Sequence, residues 1–379
     1  MRWFVFVFLS VYTSMHALVY LKARVLLPER LLPHLVSIAF LTLMIFAPIG
    51  TRLLERNGHD ALARSSAIAG YVWMGFIFIA FWVFLVVIAV DLLVKGAVFV
   101  SRSSASGLPG STTAMFALVS AALICVYGSF EARNIGTERV AIATSKLPSG
   151  VDRFKIAQIS DVHLGLIVHE DRLQRMIEVV HSESPDILVC TGDFVDGDID
   201  RMDEISGVLE QVNPRYGKFA VTGNHEFYAG LDRSIRLIER MGFVVLRGES
   251  ETVNGTINVV GVDDPAGGGP AEDEATILST VPNSLFTLFL KHRPEVLRRS
   301  EGLFDLQLSG HTHRGQIFPF RFITGIVYPM QDGLYELDKG SRLYTSRGSG
   351  TWGPPIRFLS PPEVTIIELV RDTGVGSHP

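Results

Sequence analysis

The sequence has few charged residues and few cysteines, and each shortage argues against a class of protein. Charged residues make up 19% of the 379 positions, below the roughly 25% that is usual in soluble proteins. The net charge is −5, so no positive excess favours nucleic acid as a partner. The two cysteines, Cys125 and Cys190, stand singly in apolar segments and indicate neither a disulfide framework nor a CxxC metal site.

Four segments without Asp, Glu, Lys or Arg lie in the first 131 residues, and a membrane-spanning helix needs about 20 mainly apolar residues. We predict a transmembrane region over residues 1–131, with helices at about 3–21, 35–51, 66–90 and 111–130. The second and fourth segments are less apolar, so an interfacial or re-entrant position stays open for either. A cleaved signal peptide is disfavoured because only Arg2 precedes the first segment and three more apolar segments follow.

Lysine and arginine in the short flanking loops indicate an orientation. With four spans, both chain ends lie on the same side, and that side carries more of these residues. The side of the chain ends would carry seven such residues: Arg2, Arg52, Arg56, Arg64, Arg133, Arg139 and Lys146. The opposite side would carry five: Lys22, Arg24, Arg30, Lys95 and Arg102. We therefore expect a multi-pass protein of the cell membrane whose C-terminal domain faces the cytoplasm.

The remaining sequence divides into a linker, a soluble domain and a tail. Residues 132–152 are mixed and polar, and we interpret them as the linker. Over residues 153–371, short apolar runs such as Asp186–Thr191 alternate with helical patterns such as Asp171–Ser184, which predicts an α/β domain. Residues 372–379 form the expected C-terminal tail.

Five predicted strands each end in residues that commonly bind metals. Because ligands of open α/β sheets bind at the carboxyl ends of the strands, we expect these residues to lie close together. Oxygen and nitrogen donors without thiolates suit divalent Mn, Fe or Zn. Seven such donors are too many for one tetrahedral ion but suit two ions that share a carboxylate. The seven are Asp161, His163, Asp193, Asn224, His292, His311 and His313.

The motifs DVH, GDFVD, GNHE, a lone His292 and GHTH follow one another between Lys155 and His313. In this order they resemble the calcineurin-like metallophosphoesterase family. The C-terminal stretch TSRGSGTWGPPIRFLSPPEVTIIEL is similar to the tail of the membrane-associated, YkuE-like phosphohydrolase branch. The resemblance implies an α/β fold in which a β-sandwich of two mixed sheets is flanked by helices. Gly197 stands where the phosphoprotein phosphatase branch has arginine, so we do not expect a phosphoprotein substrate.

The resemblance also implies which metal each ligand binds. Asp161, His163 and His313 would bind one ion. Asn224, His292 and His311 would bind the other, and Asp193 would bridge the two. Two ions at such a site activate a hydroxide for in-line attack on a phosphoryl group.

A catalytic pair and two substrate contacts follow from the same resemblance. His225 would protonate the leaving oxygen or stabilise its charge, and Asp196 would orient it; a solvated loop position stays open for Asp196. We expect Glu226 to cap the helix that follows it. Arg314 and Arg347 are candidates for contact with the substrate phosphate, with an ordinary surface position as the alternative.

We therefore expect a membrane-anchored, metal-dependent phosphohydrolase that acts on a phosphorylated small molecule or lipid. A lipid-linked pyrophosphate similar to UDP-diacylglucosamine fits the membrane anchor and the cytoplasmic orientation. The alternatives are a phosphodiesterase or nuclease with soluble substrates and a non-catalytic membrane sensor or scaffold. The apolar stretch Phe318–Pro329 is expected to be buried against the core, with contact to the bilayer or to an acyl chain as the alternative. The oligomeric state is not indicated.

Overall fold

The computed structural model describes residues 2–102, 109–197, 206–210, 212–268 and 273–372. The chain forms two compact units. The first contains residues 1–130 together with Gly353–Phe358, and the second contains the rest of the chain. Of the predicted tail, only Asp372 is among the described residues.

Among the described residues of the first unit there are four long helices, as the sequence predicts. Each is long and apolar enough to cross a membrane, and each extends past its predicted ends because polar flanking residues continue the helix. At 42 residues, the third is about 60 Å long, roughly twice the thickness of the hydrocarbon core. The helices are α1 (Arg2–Ala23), α2 (Leu31–Arg56), α3 (Asp60–Ser101) and α4 (Gly110–Glu131).

A short segment from far along the sequence packs within this helical unit. The side chain of Ile356 lies so close to Gly75 of α3 and Gly128 of α4 that a Cβ at either glycine would overlap it. The backbone N–H of Arg357 donates to the carbonyl oxygen of Gly128 at 3.0 Å. Glycine is required at these two positions because a larger residue would displace the segment.

The second unit is a sandwich of two mixed, six-stranded sheets. The first sheet has the order β1 (Gly136–Thr144), β14 (Glu363–Arg371), β2 (Arg153–Ile159), β4 (Ile187–Cys190), β6 (Lys218–Ala220) and β7 (Phe243–Val245). The second has the order β12 (Gly333–Glu336), β13 (Arg342–Thr345), β11 (Leu306–Ser309), β10 (Phe286–Leu290), β9 (Ile257–Gly261) and β8 (Glu249–Val253). A small two-stranded sheet pairs β3 (Leu164–Gly165) with β5 (Val195–Asp196).

Helices accompany the sheets, and the described residues form apolar clusters that make up the core. The helices are α5 (Glu170–Glu183), α6 (Ser206–Glu210), α7 (Asn224–Ala229), α8 (Leu231–Arg240), α9 (Glu274–Leu278) and α10 (Arg321–Val327). The central cluster joins residues of both sheets, such as Ile156 and Leu288. A second cluster joins the first sheet to α5 and α8, and a third joins the second sheet to α9. The predicted fold of two mixed sheets flanked by helices is confirmed.

The interpretation of residues 132–152 as a linker is wrong for nine of them. Residues 136–144 form β1, which pairs in parallel with β14 at the edge of the first sheet. Most residues of β1 are exposed or half-buried, because an edge strand has a neighbour on one side only. The strand therefore lacks the apolar pattern by which buried strands are predicted.

The apolar stretch Phe318–Pro329 is not buried against the core, contrary to the expectation from the sequence. Its central part forms α10, and none of the seven residues of this helix is buried. Burial against the core is therefore the wrong interpretation of this segment.

Candidate metal centre

The seven predicted ligands all follow strands at their carboxyl ends. In the first sheet, β2, β4 and β6 run parallel to one another; in the second, β10 and β11 are parallel neighbours. Short loops after these five strands carry the seven side chains, and α7 begins at Asn224. Parallel pairing therefore brings residues that are distant in sequence to one edge of each sheet.

Among the described residues, three groups of donor atoms have the spacing of metal ligands. One joins His163 and Asp193 to His225, and the other two consist of predicted ligands only. In the first of these two, His163 Nε2 lies 3.0 Å from His313 Nε2, which lies 3.3 Å from Asp161 Oδ1. In the second, His311 Nδ1 lies 3.1 Å from His292 Nε2. Donors that bind one ion at about 2.1 Å lie about 3.0–3.4 Å apart, so both groups are suited to a divalent ion.

Asp193 lies between the two groups. Its Oδ2 is 3.2 Å from His292 Nε2 and 3.9 Å from His163 Nε2. Its Oδ1 accepts the backbone N–H of His225 at 2.8 Å, which fixes the carboxylate. One oxygen therefore faces both groups, as a bridging ligand requires.

Two details of the buried polar atoms test whether these residues suit a metal. Asn224 is 7% exposed, and its Oδ1 is buried without a hydrogen-bond partner. His292 directs Nδ1 to the carbonyl oxygen of Thr191 at 2.8 Å, which leaves Nε2 as the coordinating nitrogen. A second hydrogen bond of this kind orients most metal-binding histidines. The donor set therefore fits a divalent cation.

His225 and Asp196 form the pair expected from the sequence. His225 Nδ1 lies 3.0 Å from Asp196 Oδ1, so the carboxylate fixes the plane and tautomer of the ring. The ring of His225 lies 4.6 Å from that of His163, centroid to centroid, in an edge-on arrangement. The free Nε2 is therefore available to a group bound next to the metal ligands.

Glu226 has a larger role than the helix cap expected from the sequence. Its carboxylate is fully buried and caps α7 by accepting the N–H of Gly223 at 2.6 Å. It also accepts the N–H groups of Asp193, Phe194 and Val195 at 3.0, 2.8 and 3.2 Å. One side chain thus joins the loop after β4 to the loop after β6.

The backbone of the ligand loops is strained. Five of the seven ligand residues have positive φ angles between 48° and 70°, a region that non-glycine residues occupy at a cost and mainly at functional sites. A Cβ at Gly310 would overlap Ser160 Oγ and Asp161 Oδ2, so the loop after β11 requires glycine there. The five strained residues are Asp161, His163, Asp193, His311 and His313.

Comparison with known proteins identifies the family. A family model described as calcineurin-like phosphoesterase matches residues 154–315. A metallophosphoesterase of Aquifex aeolicus is 40% identical over 254 residues, which make up 66% of this chain and 97% of that protein. The chain belongs to the calcineurin-like phosphoesterases. It is therefore a metal-dependent phosphoesterase, a hydrolase of phosphorylated substrates that uses divalent ions.

Two other relatives of this calcineurin-like phosphoesterase are relevant to its YkuE-like sequence and to its membrane region. The metallophosphoesterase YkuE of Bacillus subtilis is 32% identical over 276 residues, or 67% of this chain and 94% of that protein. A transmembrane protein with a metallophosphoesterase domain from Danio rerio is 30% identical over 271 residues, or 67% of this chain and 62% of that protein. The second relative, together with the four apolar helices, supports association with a membrane.

The electrostatics of the phosphoesterase site favour a bound cation. Burial lowers the pKa of His163 to about 3, with the charge of His225 adding to the shift, so the imidazole is neutral and able to bind metal. Burial opposes charge on His292 as well, but Asp193 raises its pKa to about 10. A cation between Asp193 and His292 therefore competes with a proton for the same position.

The carboxylates and His225 respond to the same charges. Burial raises the pKa of Asp161 to about 6. Burial acts in the same direction on Asp193, but His292 and His225 hold its pKa well below the usual value. For His225, the charges of Asp193 and Asp196 outweigh burial and raise the pKa to about 9. The protonated form of His225 is thus stabilised beside the ligands.

The two arginines predicted to contact the substrate, Arg314 and Arg347, have different surroundings in the structure. Arg314 follows His313 and pairs with Asp332 at 3.1 Å, close to the ligands. Arg347 is committed to two carboxylates, Glu138 and Glu363, and these contacts give it a structural role. Contact of either arginine with a substrate stays a prediction.

Sequence reasoning did not single out Arg293, which follows His292 directly. Its Nε and Nη2 donate to the two oxygens of Asp264 at 2.7 and 2.9 Å, and the Asp264 side chain is fully buried. Arg293 also interacts electrostatically with Tyr328, whose ring lies 5.1 Å from that of His311. A fixed and partly exposed cation therefore stands beside the second ligand group.

Two exposed aromatic side chains border His225. The ring of Tyr228 lies 5.5 Å away and that of Trp352 lies 6.0 Å away, between centroids. They are 71% and 50% exposed. Tyr228 is three residues after His225 on α7, a spacing that places both on one helix face, whereas no local pattern predicts the position of Trp352.

Proposed function

We propose that the chain is a membrane-anchored phosphohydrolase that cleaves a phosphoester or pyrophosphate bond of a lipid-linked substrate. The observation that carries the proposal is the convergence of two ligand groups on Asp193, with the His225–Asp196 pair beside them. Hydrolysis requires both a means of activating water and a group that protonates the leaving oxygen. The arrangement supplies side chains for each.

In this proposal the seven ligands act as the motifs imply. Asp161, His163 and His313 would hold one ion, Asn224, His292 and His311 would hold the other, and Asp193 would be a ligand of both. Two bound ions supply Lewis-acid activation of water and neutralise charge on the phosphoryl group. Glu226 contributes indirectly, because it fixes the backbone that carries Asp193.

His225 moves the proton. Its Nδ1–H is held by Asp196, and its Nε2–H is donated to the oxygen that leaves when the P–O bond breaks. Asp196 keeps the ring oriented and stabilises the positive charge before transfer. In this proposal Arg293, with its charge fixed by Asp264, contacts a second phosphate of a pyrophosphate substrate.

The membrane region supports a lipid-linked substrate. Four helices able to cross a membrane keep the hydrolase at the surface where such lipids are concentrated. A nucleotide-linked lipid similar to UDP-diacylglucosamine has a pyrophosphate bond and lies in the bilayer. The larger number of Lys and Arg residues on the side of the chain ends favours a cytoplasmic site, and a reporter fused after His378 tests this orientation.

The chemistry is tested with the full chain in detergent, stripped of metal with a chelator and then supplied with Mn²⁺. Wild type is expected to bind Mn²⁺ and to hydrolyse p-nitrophenyl phosphate or bis-p-nitrophenyl phosphate. Asp193→Asn keeps the shape of the bridging side chain but removes its charge, so it should lose both metal and activity. Asp186→Asn is the matched control, because Asp186 lies at the opposite end of β4 and accepts the N–H of Lys155. Full activity of Asp193→Asn would refute the site.

The substrate class is tested separately by comparing lipid and soluble substrates. We expect higher kcat/KM for UDP-diacylglucosamine or phosphatidate in mixed micelles than for the soluble UDP-N-acetylglucosamine. Equal activity on soluble diesters, indifferent to lipid, would instead support a soluble phosphodiesterase or nuclease function. Absence of both bound metal and activity would support a non-catalytic scaffold.

A further inference from the structure

Helix α10 is attached to the metal-ligand loop at both of its ends. At its start, Gly315 lies so close to the backbone of Phe320 and Arg321 that a Cβ would overlap it. At its end, Tyr328 caps the helix with an N–H bond to Thr324 at 2.7 Å and packs edge-on against His311. The helix is therefore fixed next to the ligands that GHTH provides.

This fixed helix presents apolar side chains outward. Phe322, Ile326 and Val327 are 64%, 81% and 65% exposed. Scattered apolar residues are normal on protein surfaces, but a contiguous group of this kind marks an interaction site. We call the group the α10 surface; it consists of Phe318, Phe320, Phe322, Ile323, Ile326 and Val327.

The composition of the α10 surface and its place in the chain favour a lipid bilayer as its partner. Arg321 begins the helix and is half-buried, and cations flanking apolar side chains are typical of segments at the interface between headgroups and acyl chains. The same chain carries four helices able to cross a membrane. Only four residues of sequence, 132–135, lie between the end of α4 and the start of β1.

We propose that the α10 surface rests in the boundary between lipid headgroups and acyl chains and holds the metal site at the level of the headgroups. The proposal deepens the proposed function and rests on it for its catalytic consequence. A phosphate at the bilayer surface would then reach the ligands without leaving the membrane. Docking on the bilayer itself does not depend on which phosphate is cleaved.

Docking is tested without reference to catalysis. The full chain carrying Ile326→Cys is labelled with an environment-sensitive fluorophore and reconstituted into vesicles of equal parts phosphatidylethanolamine and phosphatidylglycerol. Cys125 and Cys190 are both buried. The control is Glu251→Cys, at an exposed position of β8. We expect blue-shifted emission at position 326, and loss of about half of it when the lipids carry a nitroxide on the acyl chain, because such a segment lies about 5–10 Å deep.

Each other outcome overturns the proposal. Equal emission and equal quenching at positions 326 and 251 would mean that α10 stays in water. Blue-shifted emission without quenching by nitroxide lipids would mean that protein, such as a second copy of the chain, covers the surface.

The catalytic consequence is tested with the double variant Ile326→Ser, Val327→Ser in the same vesicles. We expect kcat/KM for phosphatidate to fall about tenfold or more, because the variant loses apolar area for docking, while hydrolysis of soluble p-nitrophenyl phosphate changes by less than about twofold. Equal losses on both substrates would mean that α10 supports the fold, and would overturn the proposal. If wild type hydrolyses neither substrate, the proposed function fails, whereas the fluorescence result still decides whether α10 docks.

Discussion

Replacement of Glu226 by glutamine tests whether one buried carboxylate fixes the ligand loops. The two oxygens of Glu226 accept four backbone N–H groups, two each. An amide has one oxygen, so two N–H groups lose their acceptor whichever way the side chain turns. A buried N–H left unpaired costs about 1–3 kcal/mol, which gives a total of about 2–6 kcal/mol. If Glu226 only capped α7, the cost would be about 1 kcal/mol.

The two interpretations predict different results in the same assay. At about 3 °C per kcal/mol for a domain of this size, a cost of about 4 kcal/mol lowers the thermal midpoint by about 12 °C. Loss of a helix cap alone lowers it by about 3 °C. Because Asp193 is carried by the affected loop, we also expect a 10–100-fold weaker affinity for Mn²⁺, the usual effect of changing a group that orients a ligand.

The measurement uses the full chain in detergent, with thermal unfolding and bound Mn²⁺ followed for wild type, Glu226→Gln and Asp186→Asn. Asp186 accepts a single backbone N–H, from Lys155, and its amide retains one oxygen for that bond. The control therefore also replaces a carboxylate by an amide, but it leaves no backbone N–H group without an acceptor. Wild-type Mn²⁺ affinity in Glu226→Gln, with a midpoint lowered by about 3 °C or less, would refute the reasoning.

Two further substitutions test the loop after β11 and the proton donor. Gly310→Ala is expected to abolish Mn²⁺ binding and activity, because its Cβ would overlap Asp161. The control Gly207→Ala, whose Cβ would meet open space, should leave both unchanged. Equal behaviour of the two variants would contradict the close approach of Gly310 to Asp161. Asp196→Asn is expected to lower kcat about 10–100-fold for phenyl phosphate and less for p-nitrophenyl phosphate, whose leaving group needs less protonation. An equal loss on both substrates would contradict a role for Asp196 in orienting His225.

The positions of the metal ligands at the ends of the strands were predictable because the local sequence determines where each strand ends. Each ligand stands in the short loop that follows an apolar run, and parallel pairing of such runs places their carboxyl ends together. The sequence therefore predicted that Asp161, Asp193 and His292 lie near one another, and in the structure Asp193 contacts His292 and both are close enough to Asp161 to affect its charge. The strain at these residues was not predictable, since positive φ angles at Asp161 and Asp193 arise from the surrounding contacts.

Features that depend on distant partners were missed. Strand β1 has an exposed pattern and is recognisable as a strand only through β14, which comes from the other end of the domain. The role of Glu226 requires the loop after β4 to lie next to α7, and that of Arg293 requires Asp264 on a separate loop. The exposure of α10 was missed because apolar composition alone does not distinguish a buried segment from one that meets lipid.

Metal binding and folding should be coupled at this site because the ligand loops are strained. A left-handed backbone costs about 1–2 kcal/mol for each non-glycine residue, and five ligands have it. An ion that binds only the folded site adds about 2.7 kcal/mol of stability at a concentration 100 times its dissociation constant. Removal of one such ion by a chelator should lower the thermal midpoint of wild type by about 8 °C, and removal of both ions should lower it by about 16 °C. In Asp193→Asn, which lacks the shared ligand, the chelator should have little effect. An unchanged midpoint in wild type would mean that protein contacts alone, such as those of Glu226, maintain the strained loops.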